Sequence, residues 1–161
     1  MLSVPVPSLR KAPGLDGFRL RCFYDHTVVS SKSRNAIIKR CCSKMLRDGL
    51  VFKDEDGQVI FNQYSFCELV KHLLVELVGI SYEEASQIVE RSPLAAPVAN
   101  VMGVAIFSHD LPYYWAMFFY YGNGYWWKRG IPAQPKDMDA YFALENQIME
   151  KHHLKEPFEW E

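Results

Sequence analysis

Phe66 to Trp127 is a nearly continuous apolar and aromatic stretch, and any fold of this 161-residue chain has to bury most of it. Its first part places Phe66, Leu69, Val70, Leu73, Leu74 and Leu77 at helical spacing, and Cys67, Val75 and Val78 make the remaining surface apolar too. A helix apolar nearly all round belongs at the centre of a fold, with other elements packed on it. Ser65 and Glu68 stand at capping-box spacing and predict that this helix starts there, ending near Gly79.

The rest of the stretch divides at its turn residues. Ser81 and Glu84 repeat the capping-box spacing and predict a short helix through Arg91, stopped before Pro93. Pro97 to Phe107, rich in Ala, Val and Gly, reads as a further helix. Asp110 is placed to cap another, with Pro112 in its first turn and Gly122 at its end. That helix carries Tyr113, Tyr114, Trp115, Phe118, Phe119, Tyr120 and Tyr121, more rings than one face can bury. Either later elements cover the second side or a partner does.

After the turn Gly122-Asn-Gly124, the run Tyr125, Trp126, Trp127, Lys128 and Arg129 reads as an aromatic loop with two cations. Such a loop suits cation–π contacts, stacking on bases or a protein hot spot, and burial in the core is the plain alternative. Asp137 to His153 sets Met138, Tyr141, Phe142, Ile148 and Met149 at helical spacing. In the tail, residues 154–161, Phe158 and Trp160 lie among acids, and the pattern leaves open whether it docks or hangs free.

Two apolar runs, Leu94 to Phe107 and Leu111 to Tyr121, fall short of the roughly 20 residues of a bilayer crossing. Ser108, His109, Asp110 and Pro112 interrupt them, so no membrane span is expected. The start of the chain lacks a basic segment followed by an apolar one and does not read as a secretory signal. Cys22, Cys41, Cys42 and Cys67 show no C-x-x-C spacing, which fits reduced thiols in a cytoplasmic protein.

Net charge is −1, but it is unevenly spread. Through Leu50 there are 10 Lys and Arg against 3 Asp and Glu, and from Val51 onward 8 against 16. The basic half opens with a proline-rich arm, residues 1–14, followed by Phe18 to Tyr24, where apolar and basic residues alternate as in a half-buried strand with Arg19 and Arg21 facing solvent. Ser33 to Asp48 then forms a helical pattern with Ile37, Ile38, Cys41, Cys42, Met45 and Leu46 on one side and Gly49 at the left-handed cap. Lys39, Arg40, Lys44 and Arg47 project from the opposite arc. Such an arc either meets a polyanion, is simply solvated, or packs against the acidic half.

Leu50-Val-Phe-Lys, the turn Asp54-Glu-Asp-Gly57 and Gln58-Val-Ile-Phe-Asn62 read as a β-hairpin. Helix and hairpin over residues 33–62 together resemble the recognition helix and wing of winged-helix DNA-binding domains. That local resemblance implies nucleic-acid binding through the basic helix, although the acidic tip Asp54, Glu55 and Asp56 departs from what a phosphate-facing wing carries. Separately, His72, the pair His109-Asp110 and Asp137 or Asp139 follow an order that resembles the HD-domain metal-dependent phosphohydrolases. This resemblance implies a divalent metal held by these side chains and hydrolysis of a phosphoester by metal-activated water. Asp110 as a helix cap is the simpler reading.

These patterns predict one predominantly helical α+β domain over residues 1–161, with a small antiparallel sheet on a helical core. Function reads as non-catalytic binding of nucleic acid through Arg19, Arg21, Lys39, Arg40, Lys44 and Arg47. The alternatives are a protein-interaction or inhibitor module using Tyr125, Trp126, Trp127, Lys128 and Arg129, and the HD-like enzyme. No Gly-rich phosphate loop, nucleophile elbow or complete zinc-ligand spacing is present in the sequence, and no catalytic residue, metal or cofactor is assigned.

Overall fold

The computed structural model describes residues 46–55 and 57–161. The arm, the strand at 18–24 and the basic helix up to residue 45 lie outside the described residues, and with them Arg19, Arg21, Lys39, Arg40 and Lys44. The described part is mostly helical with one three-stranded antiparallel sheet. Strand β1 (Leu50–Lys53) and strand β2 (Gln58–Phe61) form the expected hairpin, with Leu50 opposite Phe61 and Lys53 opposite Gln58. The third strand, β3 (Phe158–Trp160), comes from the tail and pairs with β2, placing Phe158 opposite Phe61.

The tail docks because it supplies a ring to the core. Phe158 stacks on Phe61 with ring centroids 5.3 Å apart and meets Phe66 edge-on at 4.9 Å. Helix α1 (Gln63–Val78) is the central element, and its first three turns are buried almost all round. It packs against α2 (Tyr82–Glu90), a 3-10 turn (Pro93–Ala95), α4 (Pro112–Tyr121) and α6 (Met138–His152). Helix α3 (Val101–Ser108) lies against β2, and the single turn α5 (Tyr125–Lys128) follows α4.

Polar groups fix the start of α1, and not as the capping-box spacing predicts. The helix begins at Gln63, and the carboxylate of Asp48 accepts from the Ser65 amide (2.9 Å) and hydroxyl (2.7 Å). A carboxylate there satisfies an orphan amide and lies at the positive end of the helix dipole. Glu68 instead accepts from Lys71 Nζ (2.7 Å) and the Tyr82 hydroxyl (2.6 Å), all three groups tying α1 to α2. Ser65 and Glu68 are thus both spent on tertiary contacts, which spacing alone does not distinguish from a local cap.

Asn62, 1% exposed, is the knot between sheet, helix and tail. Its side-chain oxygen accepts from the Gly49 amide (2.8 Å), while its amide nitrogen donates to the Glu156 carbonyl (2.7 Å) and Glu159 Oε1 (3.0 Å). Gly49 has the expected left-handed backbone, φ +74°, but its amide meets Asn62 and Leu46 to Asp48 are not helical. The predicted basic helix therefore does not reach Asp48.

Several helix boundaries agree with the sequence reading. Gly79 ends α1 in the left-handed conformation, and Ser81 caps α2 by accepting from the Glu84 amide. Asp137 caps α6 through the Ala140 amide. Two differ. The segment from Pro97 turns helical only at Val101, capped by Asn100, and Asp110 is not the cap of α4, whose capping position is Leu111 with no side-chain bond. Pro112 at the first helical position removes an amide that would otherwise need one.

Candidate binding surface at the aromatic end

Helix α4 carries rings on all sides, and the chain solves this in part by turning back over it. Tyr113 donates its hydroxyl to the Pro132 carbonyl (3.1 Å), Tyr125 to the Ala133 carbonyl (3.0 Å), and the Trp115 indole to the Phe107 carbonyl (3.0 Å). Each of these rings is thereby held with its polar end satisfied, as a buried Tyr or Trp requires. Tyr141 from α6 accepts the Tyr113 amide (3.2 Å), so the first turn of α4 is fixed from a second side.

The loop predicted over 125–129 is instead a turn of helix, and that changes which rings face out. Tyr125 points inward and is fully buried. Trp126 is 42% exposed and Trp127 74% exposed. Gly124, at φ +71°, makes this arrangement specific: a Cβ there would lie 1.8 Å from the Trp127 indole nitrogen. The absent side chain is the space in which the indole rests. A Gly-Asn-Gly turn is visible in the sequence, but its contact with a ring three residues later is not.

The two cations of the run are turned onto the protein itself. Lys128 Nζ donates to the Asn123 carbonyl (2.9 Å) and lies 5.8 Å from the centre of the Trp127 ring. Arg129 lies 5.8 Å from the centre of the Tyr121 ring. Both cations reinforce the aromatic surface by cation–π attraction.

Beside this surface is a small cavity of about 190 Å³, with Asp110, Tyr113, Tyr114, Trp126, Ala133 and Gln134 among its walls. Burial raises the Tyr114 hydroxyl pKa and the Asp110 charge adds to it. The Tyr125 hydroxyl is pushed up to about 12, mainly by burial and further by Tyr113, Tyr114 and Asp110. Both hydroxyls therefore stay neutral at physiological pH, and Asp110 is the acidic side chain among the walls of this cavity.

The remaining candidate residues are scattered. His72, on α1, stacks face to face with His152 of α6 at 3.6 Å and with Tyr82 at 5.2 Å. Burial and the adjacent His152 lower its pKa. His109 lies 3.6 Å from Asp110, and Asp137 serves as the cap of α6. Among the described residues no three His, Cys, Asp or Glu side chains gather as metal ligands, so His72, His109, Asp110 and Asp137 or Asp139 are not brought into one set. Cys67 is free and buried, its thiol pushed up to about 12 by burial, which makes it an inert packing group.

Arg47, the described member of the basic arc, is exposed next to a cavity of about 760 Å³ lined by Asp48, Phe52, Gln63 and Val98. Among the described residues no helix is long and apolar enough to cross a membrane. No protein-family model, curated protein or solved structure matches the chain.

Proposed function

We propose that the protein is a non-catalytic binding module that engages a protein partner through its aromatic end, centred on Trp126 and Trp127. The observation that carries this reading is the exposure of Trp127 at 74% on a seat provided by Gly124. An indole held in one position while most of its surface meets water has lost its side-chain freedom before any partner arrives, so less entropy is lost on binding. Trp and Arg are the residue types that dominate protein hot spots, and both occur here within four positions. Met102 and Ile106, 67% and 56% exposed on α3, add to the apolar surface the module presents. A cytoplasmic setting fits the free, buried Cys67.

Nucleic acid is the competing partner. Its proposed contacts, Arg19, Arg21, Lys39, Arg40 and Lys44, lie outside the described residues, while Lys128 and Arg129 are engaged with Asn123, Trp127 and Tyr121. The test uses the full chain as bait in an extract of its own cells, beside the double variant Trp126→Ala/Trp127→Ala. A protein retained in near-stoichiometric amount by the parent and lost from the folded variant supports the reading. Retention that ignores the double substitution, or tight and salt-steep binding of duplex or single-stranded nucleic acid in its place, refutes it.

A further inference from the structure

The cavity beside Trp126 has a chemistry of its own. Its walls combine aromatic rings, Tyr113, Tyr114 and Trp126, with one carboxylate, Asp110, and a side-chain amide, Gln134. The faces of aromatic rings are electronegative, and a carboxylate at such a wall adds a full negative charge. The Tyr113 and Tyr125 hydroxyls already donate hydrogen bonds to the Pro132 and Ala133 carbonyls, so neither donor is free to serve an anion in the cavity. Among the described residues the ion partner of Asp110 is His109, at the long distance of 3.6 Å and with its side chain 84% exposed. The two cations that follow Trp127 in the chain make contacts elsewhere, Lys128 with Asn123 and Trp127, and Arg129 with Tyr121.

Resting on the partner-binding reading above, we infer that this cavity receives a cationic side chain of the partner, the guanidinium of an arginine or the ammonium of a lysine, held between Tyr114 and Trp126 and charge-paired with Asp110. The volume of about 190 Å³ admits one long side chain and excludes a folded element or a nucleotide. Trp127, outside the cavity, supplies apolar contact area, and Trp126 joins the two parts of the site. The partner segment is thus expected to present a basic residue beside an apolar one.

The experiment titrates the full chain, labelled with nitrogen-15, with N-acetyl-arginine amide and N-acetyl-lysine amide. The neutral counterparts N-acetyl-citrulline amide and N-acetyl-norleucine amide serve as controls, and inorganic phosphate probes the opposite sign. Saturable shifts of the Trp126 indole and Asp110 amide signals with a cationic compound are expected, the matching neutral compound being weaker by about tenfold. Asp110→Asn should reduce the cation affinity by a similar factor and leave the fold intact, since Asp110 caps no helix. Equal response to the neutral compounds, a response to phosphate alone, or unchanged affinity in Asp110→Asn would overturn the inference. Loss of the partner from Trp127→Ala, measured separately, reports on the partner-binding reading, so the two can fail independently.

Discussion

Two regions of the molecule, the start of α1 with its sheet and the helices α4 and α5, have differently finished surfaces. Around its start, every polar group drawn inside has a match: Asn62 joins Gly49, Glu156 and Glu159, and Asp48 caps Ser65. Phe158 closes the sheet over the same region. At α4 and α5, by contrast, the inward rings are satisfied through Pro132, Ala133 and Phe107, yet Trp126 and Trp127 remain outside. The difference separates two uses of large side chains. One end is completed by the chain's own tail, and the other is held open in a fixed shape.

This contrast makes quantitative claims. The largest effect belongs to the closed end: Asn62→Ala leaves the Gly49 amide and the Glu156 carbonyl without their partner, and should cost roughly 3 kcal/mol in urea denaturation. Lys71→Met should cost a similar amount, about 3 kcal/mol, because Glu68 is then left as a buried charge with only the Tyr82 hydroxyl. Phe158→Ala removes a half-buried ring from the stack on Phe61 and Phe66 and should cost about 2 kcal/mol, read from the same denaturation curves. If these three prove mild, the closed end is not what holds the fold.

A smaller effect probes the open end. Gly124→Ala strains a left-handed position and collides with the Trp127 indole, so stability should fall by roughly 1 kcal/mol. The more telling change is in the indole: its nuclear magnetic resonance signal should move and broaden as the ring leaves its seat. Preserved Trp127 signals in Gly124→Ala would show that the ring does not rest there.

The smallest effect concerns pH. His72 is held below its ordinary value by burial and by His152, so the unfolded chain takes up a proton at a higher pH than the folded one. Stability from this group is complete above about pH 6.5 and declines as pH falls below it toward the lowered folded value. Glu145, raised by burial, works in the opposite sense above the ordinary carboxylate range, so the comparison has to be made with His72→Phe, which keeps a ring on His152 and does not titrate. The parent should lose melting temperature relative to that variant between pH 7 and pH 5. A constant difference across that range would remove the His72 and His152 stack from the account.

Much of the architecture is legible in the sequence. A helix apolar on every side, the turn residues Gly79 and Gly122, the Ser81 and Asp137 caps and the hairpin around Asp54 to Gly57 all follow from local spacing. What spacing cannot convey is competition from distant groups. Ser65 and Glu68 have the pattern of a cap, but Asp48 and Tyr82 reach them first. Phe158 reads as one aromatic in an acidic tail until β2 and Phe61 give it a place. In the candidate site, the pair Trp126 and Trp127 stands out at once, whereas the burial of Tyr125 depends on a helical turn that four residues do not announce. Gly124 as a seat and Asp110 as a wall appear only when the chain is folded.

The claim that the aromatic end serves binding rather than folding is tested most directly by placing a photo-reactive phenylalanine analogue at position 127, and separately at the exposed position 142 on α6, in the full chain. The account predicts that position 127 cross-links to one protein in a saturable manner, that position 142 does not, and that Trp127→Ala alters stability by less than about 0.5 kcal/mol. Cross-linking equal at both positions, or a Trp127→Ala variant destabilised by about 2 kcal/mol or more, would contradict it.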